Sequence, residues 1–311
     1  MELLNAVFVA PFVDMATYPV FLTEVVVSGL LTGVMYSLVA LGFVLIFKAS
    51  GVFNFAQGAM VLFAALTLVG LMERGVPVWA ALGLTVLVMV ALAFTIERFM
   101  LRYLINQEGI VLFMATIGLA FLLEGSGEMV WGSNVKPLDV GIPSESFEIG
   151  GVLLNEFDLY AAASGSMLVA VLAVFFHYTR IGRALRAVAD DHQAALSVGI
   201  PLKTIWIIVW SVAGFVGLVA GIMWGSKSGV QFSLSLIALK ALPVLILGGF
   251  TSIPGAIVGG LIIGVGEKIA EIYWGPLVGG AIENWFAYML ALAFLLFRPQ
   301  GLFGERIIER V

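Results

Sequence analysis

Six residues of this 311-residue chain put ionisable or amide groups into otherwise apolar stretches: Lys240, Glu267, Lys268, Glu271, Asn54 and Gln57. Charged groups in such surroundings are costly and are functional candidates by default. Glu267 and Glu271 are four residues apart and share a helix face, where like charges repel unless a cation or water intervenes. Lys240 is expected near the middle of its stretch, facing other helices or snorkelling to an interface. Two kinds of role are open: a structural or subunit-interface role, named here for Glu267 and Glu271, or a place on a substrate path, named for Lys240. Asn54 and Gln57 lie in Gly51-Val-Phe-Asn-Phe-Ala-Gln-Gly58. They either cap backbone at a membrane boundary or line a gate. Glu124 and Glu128 also share a face, and there a solvated position near the outer boundary is expected.

Catalytic chemistry finds no foothold in the sequence. The chain has no cysteine, and its two histidines, His177 and His192, are too far apart in sequence to suggest a metal site. Gly264-Val-Gly-Glu-Lys268 has the wrong spacing for a phosphate loop. The helical zinc-protease motif and the Gly-x-Ser-x-Gly elbow are both missing. The expectation is a non-enzymatic chain that binds no cofactor or metal and cannot hydrolyse ATP by itself. A net charge of −5 gives no basic footprint, so nucleic acid is not an expected partner.

The elements that position these residues are membrane helices. Apolar and aromatic residues make up 61% of the chain and charged residues 11%, against roughly 45–50% and 25% in soluble domains. Mean hydropathy is +1.11. About nine spans (eight to ten) are expected, near 21–47, 55–72, 78–98, 110–130, 159–178, 204–224, 232–249, 255–273 and 284–298. The first would be about 40 Å long as straight helix, so it must tilt, kink or break, with Gly33 or Gly42 as the place. The fold class is all-α, polytopic, in a single transmembrane domain over 21–305, preceded by a segment 1–20 and followed by a tail 306–311. Residues 1–20 lack a basic stretch before their apolar run, so a short interfacial helix is expected there rather than a cleaved signal.

Lysine and arginine set the orientation. With the N-terminus outside, ten basic residues fall on the inner side, among them Lys48, Arg98, Arg102, Arg180, Arg183, Arg186 and Lys203, and only Arg74, Lys136 and Lys227 fall outside. The expectation is therefore N-out, C-in. The outer loop 131–158 is acidic and contains Phe-Glu-Ile-Gly-Gly-Val-Leu, which suits a small hairpin; it is either a solvated loop or a docking surface. The inner loop 179–203 holds Asp190 or Asp191 as an N-cap, a helix of about two turns over 192–198, Gly199 just past its end and Pro201 beyond. Such a helix either transmits a partner's movement or merely links two spans.

Glycines cluster at Gly248-Gly249-Phe-Thr-Ser-Ile-Pro254-Gly255 and at Gly259-Gly260-x-x-x-Gly264. They serve close helix packing, or they belong to broken or re-entrant helices beside a passage. Gly248, Gly249 and Pro254 are accordingly named as pathway candidates.

Four of these segments, in order, resemble the permeases of branched-chain amino acid ABC importers, the LivH type. They are Tyr36-Ser-Leu-Val-Ala-Leu-Gly42 with Gly51–Gly58; Thr179-Arg-Ile-Gly-Arg-Ala-Leu-Arg-Ala-Val-Ala189 with Ala194-Ala-Leu-Ser-Val-Gly-Ile200; Leu247-Gly-Gly-Phe-Thr-Ser-Ile-Pro-Gly-Ala256; and Phe297-Arg-Pro-Gln-Gly-Leu-Phe303. The resemblance covers about 24–305. It implies an importer of the bacterial inner membrane in which this chain pairs with a second, M-type permease. Two cytoplasmic ATPases would hold ATP and Mg, and a periplasmic binding protein would deliver the cargo. By the same resemblance the inner helix is a coupling helix: Asp190, Asp191, His192, Gln193, Ala194, Ala195 and Gly199 would meet an ATPase, with Arg183 and Arg186 alongside. The segment departs from the Glu-Ala-Ala form of many importers; Asp191-His-Gln-Ala-Ala195 is only loosely like it. The family also carries urea, short-chain amides and aromatic acids. Apart from the resemblance, the intramembrane charges also suit an ion-coupled secondary transporter.

Overall fold

The computed structural model describes residues 2–104, 107–190 and 192–304. Each expected apolar stretch forms helix. In chain order these are α1 (Glu2–Phe8), α2 (Ala10–Thr17), α3 (Pro19–Ser50), α4 (Gln57–Glu73), α5 (Val78–Phe99) and α6 (Gly109–Trp131). A two-stranded hairpin follows, β1 (Ser146–Ile149) and β2 (Val152–Asn155), then α7 (Glu156–Tyr178), α8 (Arg180–Asp190), α9 (His192–Ser197) and α10 (Leu202–Ser228). The chain ends in α11 (Ile237–Gly248), α12 (Ile253–Tyr273), α13 (Gly275–Val278) and α14 (Glu283–Phe297).

Six helices, α3, α5, α6, α7, α10 and α12, are long and apolar enough to cross a membrane. Three of the nine expected spans are shorter: α4, α11 and α14 have 17, 12 and 15 residues. At 1.5 Å per residue they reach about 25, 18 and 22 Å, less than the roughly 30 Å of hydrocarbon. The stretch 232–249, expected as one span, is a 3-10 turn Phe232–Leu236 followed by α11. Lys240 consequently sits in the first turn of α11 and not mid-span. The first span is one unbroken 32-residue helix; Gly33 and Gly42 do not break it but receive neighbours, as described below.

The expected hairpin forms, with Phe147 opposite Leu154 and Ile149 opposite Val152. Its two-residue turn is Gly150-Gly151, with φ of +61° and +86°, the left-handed pair that matches strand twist and that glycine adopts without penalty.

The chain divides into two compact units. One draws on the residues up to Ser37, on Gly141–Ser166 and on those from Lys240 onward; the other comprises Leu38–Val140 and Met167–Leu239. In the first, α11 and α14 run the same way, antiparallel to α12. Lys240 at the start of α11 is 4.0 Å from Glu283 at the start of α14. At the opposite end, the N–H groups of Leu302 and Phe303 donate to the carbonyls of Leu247 and Gly248 at 2.8 and 3.1 Å. The segment after α14 thereby satisfies carbonyls that a helix end leaves orphaned. Residues near the N-terminus pack on the α12–α13 junction, where the Trp274 indole donates to the Val7 carbonyl at 3.0 Å and Phe12 meets the ring edge-on.

In the second unit, α4, α6 and α10 run parallel. Their C-terminal ends meet where Lys136 and Val230 exchange backbone hydrogen bonds, Lys136 pairs with Glu73, and Arg74 lies 4.6 Å over the Trp131 ring. At the other end the Trp206 indole donates to the Ala49 carbonyl at 3.2 Å, fixing the start of α10 beside the end of α3.

Candidate functional site

The interruption between α3 and α4 is built on side chains that replace lost backbone partners. Asn54 and Gln57 are both 0% exposed. Asn54 Oδ1 accepts the Ala56 N–H at 3.1 Å. The Thr116 hydroxyl accepts the Phe55 N–H at 3.3 Å and lies 3.2 Å from the Phe53 carbonyl. Buried backbone without such partners would be strongly disfavoured. Gln57 lies against Gly42, where a Cβ would come within 2.2 Å of its amide nitrogen. On the far side, Gly58 admits the Ser235 carbonyl, which a Cβ would approach to 2.0 Å. Asn54 thus pairs with backbone at the start of α4, while Gln57 fills the space that Gly42 leaves. Asn54→Leu should leave the Ala56 N–H unpaired and cost about 1–3 kcal/mol, read as a lower thermal midpoint of the purified protein; an unchanged midpoint would remove Asn54 from this role.

A charge cluster occupies the start of α11, the last turns of α12 and the start of α14. Lys240 Nζ is 2.9 Å from Glu267 Oε1, and the Tyr36 hydroxyl also donates to Glu267. Glu267 is 2% exposed and Tyr36 3%. Glu283 is 3.7 Å from Lys268. The anticipated repulsion between Glu267 and Glu271 is relieved by separate partners. Glu271 turns away and accepts the N–H groups of Ala281 and Glu283, both at 3.0 Å, where the chain re-enters helix. Both carboxylates are thus engaged within the chain.

The α11–α12 turn uses the clustered glycines for contact. A Cβ on Gly248 would lie 2.1 Å from the Gly255 carbonyl. Gly249 has φ +104° and backs onto Gly304. Ser252 caps α12 by accepting the Gly255 N–H at 3.0 Å, and Pro254 stands in the first turn, where its missing N–H costs nothing.

The segment between α7 and α10 holds more helix than its sequence suggested. Ile181, Leu185 and Val188 recur at helical spacing, with Leu185 and Val188 buried, which makes α8 amphipathic. α8 ends at Asp190, and Asp191, the other N-cap candidate, lies outside the described residues. The corner is specified residue by residue. Thr179 Oγ1 donates to the Phe175 carbonyl at 2.6 Å and accepts the Gly182 N–H at 3.1 Å. A Cβ on Gly182 would sit 1.9 Å from the Phe176 carbonyl. Arg186 donates to the carbonyls of Phe176 and His177, and Arg183 to that of Tyr178. Cations and donors are favoured at this helix end. Gly199, φ +83°, ends α9 as its position implied. His192 opens α9 and Gln193 follows; Ala194 is exposed and Ala195 is 2% exposed. Leu196 and Val198, within the matched segment Ala194–Ile200, are 53% and 74% exposed.

The family described as "Branched-chain amino acid transport system / permease component" matches residues 25–298. The chain belongs to this permease family. The permease is 28% identical over 300 residues to the high-affinity branched-chain amino acid transport system permease protein BraD of Pseudomonas aeruginosa, covering 92% of this chain and 96% of that one. It is 27% identical to the corresponding LivH protein of Salmonella typhimurium, over 91% and 96% of the two chains. Among solved structures it is similar to PsaBC from Streptococcus pneumoniae in complex with Fab, at 14% identity and a TM-score of 0.47, over 87% of this chain and 89% of that one. The permease is a multi-pass membrane protein and a transport subunit.

Proposed function

We propose that this permease forms part of the translocation pathway of an ATP-driven importer for branched-chain or related hydrophobic amino acids. The single observation that carries the reading is the family match along nearly the whole chain, whose relatives bear that name. The chain crosses nine times, N-terminus outside and C-terminus inside, with α4, α11 and α14 as the short passes. The parallel running of α4, α6 and α10, and of α11 and α14, suits that odd count. Two ATPase subunits carry ATP and Mg, a second permease completes the pathway, and a soluble protein delivers the amino acid. No cofactor is bound by this chain. The α8–α9 corner is the ATPase contact, with Asp190, Asp191 and the exposed Leu196 and Val198 facing the partner and Arg183 and Arg186 stiffening the corner. The amides Asn54 and Gln57 and the turn Gly248–Pro254 hold the short passes in place.

Affinity purification of the tagged chain from its own membranes, with co-purifying subunits identified by mass spectrometry, tests the assembly. Two ATPases and a second permease are expected. Recovery of the chain alone, with ion-gradient-driven uptake in proteoliposomes, would replace this reading by a secondary transporter. Changing Asp190 and Asp191 together to Lys should leave membrane insertion intact and abolish co-purification of the ATPase and leucine uptake. Wild-type uptake in that variant would remove the coupling assignment.

A further inference from the structure

The charges joining α11, α12 and α14 are used neither by the α8–α9 corner nor by the amides at the start of α4. Their arrangement has a particular form. Lys240 stands between two carboxylates, 2.9 Å from Glu267 and 4.0 Å from Glu283. Each carboxylate has a second partner of its own: the Tyr36 hydroxyl hydrogen-bonds Glu267, and Lys268 forms an ion pair with Glu283 at 3.7 Å. When the ammonium leaves Glu267 that carboxylate keeps the neutral hydrogen bond from Tyr36, and when it leaves Glu283 that carboxylate keeps Lys268. Glu283 is itself held in place because Glu271 accepts its N–H.

The two ends of the helix that carries Lys240 are held in different ways. α11 has 12 residues and follows a 3-10 turn, Phe232–Leu236. Its far end is fixed by backbone, through Leu302, Phe303 and the contact of Gly248 with Gly255. Its near end is tied to α12 by a side chain. The Lys240 side chain is 24% exposed while that of Glu267 is 3% exposed, so the pair is open on the lysine side only. A charged opening in a membrane-spanning unit faces water or protein, because hydrocarbon would not accept it.

We propose that Lys240 is a positioning residue for transport: it pins the first turn of α11 to α12 through Glu267 and passes to Glu283 when α11 shifts during the cycle. The two carboxylates make this helix end bistable, the property that turns a small displacement into a switch. The inference rests on the transport reading above and adds the moving element and its two stations.

The test uses the complete co-purified transporter in proteoliposomes, with labelled leucine uptake and ATP hydrolysis measured on the same samples. Glu283→Gln removes the second station and leaves the observed Lys240–Glu267 pair intact. The variant should assemble normally and hydrolyse ATP, with leucine moved per ATP lowered about tenfold. Lys240→Met with Glu267→Gln removes both charges together and should uncouple in the same way. Uptake per ATP within twofold of wild type in both would overturn the proposal and leave the cluster structural. Should Glu283→Gln fail to assemble, Glu283→Asp decides. Restored assembly with reduced uptake per ATP supports the exchange; restoration of both, or of neither, overturns it. Failure of the wild-type complex to move leucine with ATP would instead count against the cargo or the drive, and the uptake ratio would then be read with whatever solute the complex carries.

Discussion

Gly264→Leu should prevent the first compact unit from closing, with a cost near the upper end of the about 1–3 kcal/mol typical of overpacking. The reason is a backbone-to-backbone crossing of α3 and α12. A Cβ on Gly264 would lie 2.4 Å from the Gly29 carbonyl and 2.6 Å from Gly33 Cα. On Gly33 it would meet the Gly260 carbonyl at 2.6 Å, and on Gly29 it would meet Val265 Cα at 2.7 Å. No rotamer relieves a clash with main chain. Ser37 continues the small face and donates to the Gly33 carbonyl at 2.8 Å, with the Ile257 carbonyl 3.3 Å away. Apolar burial gives little net attraction between helices in lipid, so close packing of this kind supplies much of the cohesion. Gly83→Ala is the matched control, because nothing lies within 4 Å of a Cβ there. Size-exclusion recovery and thermal midpoint should fall sharply for Gly264→Leu, fall less for Gly264→Ala and hold for Gly83→Ala. Equal behaviour of all three would mean that the helices are not in backbone contact.

Gly249→Val should release the C-terminal clasp on α11, at a cost of about 2–3 kcal/mol from backbone strain and crowding together. Gly249 has φ +104°, which a β-branched residue resists, and a Cβ would stand 2.9 Å from the Gly304 nitrogen. Gly301 faces it from the other side, where a Cβ would lie 2.9 Å from the Gly249 nitrogen. The two strands of backbone touch because neither carries a side chain. Losing that contact frees the carbonyls of Leu247 and Gly248 from the N–H groups of Leu302 and Phe303. Limited proteolysis with chymotrypsin should then cut after Phe303 much faster than in the wild type. Gly75→Ala separates strain from crowding, since Gly75 has φ +83° but open space around it. Cleavage after Phe303 no faster than in the wild type would show that the clasp does not depend on Gly249.

The contents of Phe297-Arg-Pro-Gln-Gly-Leu-Phe303 illustrate what a sequence carries. As a motif it pointed to a family, yet its physical job, closing the end of α11, lies in hydrogen bonds to residues more than fifty positions earlier. The stretch Thr179–Arg186 behaves otherwise: Thr179, Gly182, Arg183 and Arg186 all meet carbonyls within ten residues, so its corner was in principle readable. What hid α8 was its length, since three large apolar residues in eleven look like a loop between two much more apolar spans.

The longer helices and the hairpin were determined by the sequence alone, because hydropathy, glycine φ freedom and capping act over a few neighbouring residues. The apolar stretches placed α3 to α7, α10, α12 and α14 within a few residues of their ends, and Gly150-Gly151 and Gly199 marked their turns. Pairings were decided only by tertiary structure. Lys240 meets Glu267 across 27 positions and Tyr36 meets Glu267 across more than 200, and the chain between them leaves no local trace of the choice. Glu267 and Glu271 looked like mutual antagonists because their spacing on one helix is local information. Their separate partners, Lys240 and Tyr36 for one and the start of α14 for the other, come from distant segments that only packing brings together.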